Sequence, residues 1–138
     1  VNAQKFRTGQ DPVDFLAFRE LVHLTYLRYA QARLKAPGLA QAAVDAAFTG
    51  IRRSWPQFLS SASAPQAAWR HLRDEVSRQL SDEAPPGPRL TGPYGDAVLL
   101  HRQLGMPLQD IADVMGVTVP CVQVLLVRAD RECARRTG

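Results

Sequence analysis

Apolar residues recur along most of this chain at the three- and four-residue spacing of helices, and nowhere in a convincing alternating pattern of strands. The spacing predicts a helix from Asp11-Pro12, an acceptor cap followed by a residue pre-set for the first turn, to about Lys35. Phe15, Phe18, Leu21, Val22, Leu24, Leu27 and Tyr29 are its apolar positions, and Pro37-Gly38 ends it. A second helix is predicted over about Leu39 to Phe58, weakened inside by Gly50 and at its end by Pro56. A third runs over about Pro65 to Leu80, where Trp69, Leu72, Val76 and Leu80 make one stripe. Four prolines and three glycines between Ser81 and Gly95 leave no room for a regular element. Asp96 is then placed to cap a helix that reaches about Leu104.

The stretch from Gly105 to Ala129 reads as a helix-turn-helix. Leu108, Ile111, Ala112 and Met115 form one apolar face, and Gly116 supplies the backbone freedom of the turn. Thr118 is a suitable cap, and Pro120 falls in the first turn, where a missing N–H costs nothing. Val122, Leu126 and Ala129 hold the second helix against the first. The other faces of that helix are unusual. A helix that reads the major groove offers Arg, Lys, Asn, Gln or Ser to base edges and phosphates. Here only Gln123 and Arg128 do so, beside apolar Val119, Cys121, Val124, Leu125 and Val127. Such a surface is normally covered, so it is expected to meet the N-terminal bundle, a second copy or a partner protein.

The fold class expected is all-α: a tail over 1–10, an N-terminal helical domain over 11–80, a linker over 81–95, and a helix-turn-helix domain over 96–138. The net charge of +4 changes meaning once divided. Residues 1–80 hold eleven Lys/Arg against six Asp/Glu, whereas residues 81–138 hold six against seven. The helix-turn-helix half is thus slightly acidic and gives up the counterion-release term that drives non-specific DNA affinity. No apolar run is long enough to span a bilayer and no leader pattern opens the chain, so the cytoplasm is the expected location. Cys121 and Cys133 lie too far apart on one helix to join, and His23, His71 and His101 share no ligand spacing with them. No catalytic constellation, metal site or cofactor is expected.

The run Gly105, Ile111-Ala112, Met115-Gly116-Val117-Thr118, Val122, Leu126 and Arg128-Ala129 resembles the C-terminal domain of extracytoplasmic-function sigma factors, small bacterial subunits that direct RNA polymerase to promoters. Ala40, Val44, Phe48, Ile51, Trp55 and Phe58 resemble the apolar part of that family's polymerase-docking helix, and Ala68-Trp69 with Leu72 its following helix. The resemblance implies RNA polymerase core and promoter DNA as partners, and an anti-sigma or other protein partner, or self-association, through the apolar helix. It implies polymerase contacts at Gln41, Val44, Asp45 and Phe48. It implies DNA contacts at Arg52, Arg53, Trp55, Arg70, Arg73, Thr118, Gln123 and Arg128. The protein-interaction surface is Val119, Cys121, Val124, Leu125 and Val127. At the family's acidic and basic contact positions this chain departs in a consistent direction: Ala42 and Ala46 replace docking carboxylates, and Val124-Leu125 replace basic and hydroxyl groups. A sigma-like adaptor without promoter recognition is therefore the alternative to a working sigma factor.

Overall fold

The computed structural model describes residues 12–81 and 92–137, and among them there are seven α-helices, one turn of π-helix and no strand. The expected tail, the cap at Asp11, most of the linker and the side chain of Cys133 lie outside the described residues. Helix α1, Val13–Leu34, ends where Lys35 takes the left-handed conformation and returns its N–H to the carbonyl of Gln31. Pro37 opens α2, Pro37–Arg53, two residues before the expected start. This follows from its chemistry: at the head of a helix its ring is pre-set and its missing N–H is no loss.

The single helix expected over 39–58 is two. Pro56 has no N–H, and its ring would meet the carbonyl of Arg52, so the chain breaks at Ser54. It restarts as α3, Trp55–Ser60, with the proline in its first turn. Helix α4, Ala64–Ser81, then crosses both α1 and α2.

A second difference matters more. Helix α5 spans Gly92–Val98, so the last four residues of the expected linker are helical, with Pro93 at the tolerated start. Leu99–Gln103 continue it as a π-turn, closed by Leu104 N–H to the carbonyl of Leu99 at 3.1 Å. The motif helices follow as α6, Leu108–Met115, and α7, Val119–Thr137.

The core is continuous. Phe15, Tyr26, Tyr29, Phe48, Trp55 and Trp69 of the N-terminal helices share it with Leu100, Ile111, Met115 and Val122 of the C-terminal ones. Gly116 shows how closely the halves meet: a Cβ there would overlap the backbone of Gln66 at the start of α4, and Ser63 Oγ donates to the Gly116 carbonyl at 3.2 Å. No single helix among the described residues is long and apolar enough to cross a membrane.

Candidate polymerase and nucleic-acid interface

Helix α7 is set out as a recognition helix would be. Gly116 caps α6 at φ 72°, a conformation that favours glycine. Thr118 Oγ1 then accepts the backbone N–H of Cys121 at 3.3 Å, satisfying one of the orphan donors at the start of α7. Val122 and Ala129 turn inward. Thr118, Pro120, Gln123, Val124, Val127 and Arg128 are exposed.

The apolar residues of α7 divide between two surroundings. Val119 and Leu125 are half-buried against the core, and Cys121 is half-buried as well. Val124 and Val127 are 51% and 50% exposed. At 100° per residue, 124 and 127 share a stripe with 120 and 131 that lies off the buried line through 122 and 129. Part of the aliphatic surface is therefore packing, and only part is open.

Arg131 is exposed at the end of this stripe, and the other charged groups around it are engaged or acidic. Arg128 Nη1 donates to the Tyr94 hydroxyl at 3.2 Å, and Arg102 pairs with Asp130. Asp110 and Asp113 are exposed on α6, where Gln109 Nε2 donates to Asp113 at 2.9 Å.

Behind α7, the placement of Asp96 is a correction to the sequence reading. It caps nothing: it lies in the second turn of α5, only 2% exposed. Its Oδ1 accepts the Tyr29 hydroxyl at 2.5 Å, and its Oδ2 accepts Trp69 Nε1 at 2.8 Å and Arg73 Nε at 2.7 Å. Arg33 Nη1 donates in turn to the Tyr29 oxygen at 2.7 Å. A buried carboxylate needs such donors, because desolvation without them is prohibitive. The Tyr29 phenol is held well above its ordinary 10, first by burial and then by the Asp96 charge, with Arg33 opposing. Arg73, which the resemblance makes a DNA contact, is drawn into this node through its Nε, with its side chain 19% exposed.

The remaining candidates sort by burial. Gln41 and Asp45 are exposed on α2 and joined by an amide-to-carboxylate hydrogen bond of 2.9 Å. Val44 and Phe48 are core residues, and Phe48 also lines a surface groove with Asp45 and Arg52. Arg52, Arg53 and Arg70 are exposed. Trp55 is buried, edge-on to Phe15 at 5.4 Å between ring centroids and tilted against Phe18 at 5.7 Å. It is a packing group with no face left for a base. One signal for the Asp96 node was present in the sequence. Tyr29 and Trp69 put polar tips on apolar stripes, and such tips look for an acceptor; Asp96 sits alone in the apolar run after Gly95.

No curated protein matches the chain. Residues 88–133, which contain α5, the π-turn, α6 and most of α7, match the family model for sigma-70, region 4. Region 4 is the part of a sigma factor that contacts core RNA polymerase and promoter DNA. The C-terminal third of this chain is therefore similar to region 4 of the sigma-70 family.

Proposed function

We propose that the chain is a divergent sigma factor of the extracytoplasmic-function type, which binds core RNA polymerase in the cytoplasm and gains little promoter specificity from region 4. The observation that carries this reading is the outward stripe of α7: the turn and cap of a reading helix are intact, yet Pro120, Val124 and Val127 occupy its outer side. Gln123 can make one bidentate contact to an adenine, worth about 1–3 kcal/mol of discrimination. Arg128 is engaged with Tyr94, and Asp110 and Asp113 repel phosphate. Exposed Arg52, Arg53 and Arg70 place the basic charge on the N-terminal helices, while Gln41 and Asp45 offer core polymerase a small polar patch.

A second reading is favoured by the half-exposure of Val124 and Val127. In it the chain is a sigma-like adaptor that has given up promoter recognition and meets an anti-sigma factor or another protein through that stripe. Reconstitution with purified core enzyme separates the two. A divergent sigma factor binds core and yields transcripts that start at defined sites, with modest loss when the upstream element is scrambled. Core binding without defined starts selects the adaptor, and failure to bind core overturns the sigma reading.

A further inference from the structure

The face of α1 turned away from the core is apolar. Val13, Leu21 and Leu24 are 81%, 81% and 59% exposed, and with Ala17 between them they fall on one ridge at helical spacing. Beside this ridge, with Leu21 on its lip, runs a groove of about 380 Å³ between α1 and α6 with the segment before it, floored by Val22, Leu104, Met106 and Val114. Arg28 stands on its α1 wall and Asp110 and Asp113 on its α6 wall. Among the described residues neither Arg28 nor Asp110 has an ion-pair partner.

A projecting apolar ridge next to a groove with an apolar floor and charged walls, the cation on the ridge side and the carboxylates across from it, is complementary to itself. That is the property of an isologous two-fold contact, in which one patch serves both partners and every contact occurs twice. We infer that a second copy of this chain covers the surface, the Leu21–Leu24 ridge of each protomer lying in the groove of the other. Arg28 of each protomer then faces Asp110 and Asp113 of its partner. Burial of the ridge supplies the attraction, and the opposed charges set the register. This surface is distinct from the stripe on α7 and stands independently of the sigma-factor reading.

The test is the solution mass of the full chain over a range of concentrations, by sedimentation. A concentration-dependent dimer is expected. Leu21→Glu with Leu24→Glu raises its dissociation constant by at least about tenfold, because both side chains would enter the interface core. Their exposure in the monomer keeps circular dichroism and the thermal midpoint close to those of the parent. Arg28→Asp alone, and Asp110→Arg with Asp113→Arg, each weaken the dimer, and the three together restore it. A chain monomeric at every concentration overturns the inference. So does a dimer indifferent to the ridge substitutions, or one lost on Val124→Lys with Val127→Lys instead.

Discussion

Helices α6 and α7 belong to one motif and are both rich in aliphatic residues, but they use them in opposite ways. On α6, Ile111, Ala112, Val114 and Met115 are all buried, and the polar positions Gln109, Asp110 and Asp113 face out. On α7, Val122 and Ala129 are buried with Val119, Leu125 and Leu126 packed beside them, and Val124 and Val127 remain half-exposed. One helix holds the scaffold of the region-4-like domain in place. The other keeps the position of a reading helix, with aliphatic Val124 and Val127 on its outer side.

The contrast is sharpest when the inward side is broken. Asp96→Ala strands the Tyr29 hydroxyl, Trp69 Nε1 and Arg73 together, and is expected to cost about 3–5 kcal/mol in urea unfolding. Asp96→Asn keeps one acceptor oxygen and should cost less. Gly116→Ala must hold φ 72° and push back the Gln66 backbone, for a loss of about 1–3 kcal/mol in the same assay.

A smaller effect distinguishes two tyrosines one turn apart on α1. Tyr29→Phe leaves Asp96 Oδ1 without its donor and costs about 1–3 kcal/mol, whereas the buried Tyr26 hydroxyl has no partner, so Tyr26→Phe is neutral or stabilising. Burial raises both phenols above their ordinary 10. Above about pH 10 the unfolded chain therefore releases protons that the native state still holds. The contribution of these groups is complete below that pH and is lost as pH rises past it. The double Phe variant should show a flatter alkaline limb.

Much of this was legible in the sequence because it depends on local chemistry. The span of α6, the turn at Gly116 and the cap at Thr118 follow from spacing and backbone preference within a dozen residues. The stop after Leu34 and the stripe of α4 are of the same kind. What local pattern could not supply was which side of an apolar helix meets the core. Val44, Phe48 and Trp55 sit among family contact positions yet are packing groups, and Leu21 and Leu24, two of the apolar positions of the first helix, face solvent. Asp96 was misplaced for the same reason. Its donors come from helices more than twenty residues away in sequence, and a proline-rich stretch was weighed as loop although Pro93 only marks where α5 begins.

On the outward side, Val124→Lys with Val127→Arg should change stability by no more than about 0.5 kcal/mol. The same pair should steepen the salt dependence of duplex binding by about one unit for every phosphate that the new cations neutralise.

Titrating the unaltered full chain against duplex DNA over a series of salt concentrations tests most directly whether α7 has exchanged nucleic acid for protein. Weak binding is expected, with a shallow slope of logarithmic affinity on logarithmic salt and an affinity that Gln123→Ala leaves unchanged. Tight binding with a slope of about six or more, its affinity reduced by Gln123→Ala, would mean that α7 still reads DNA.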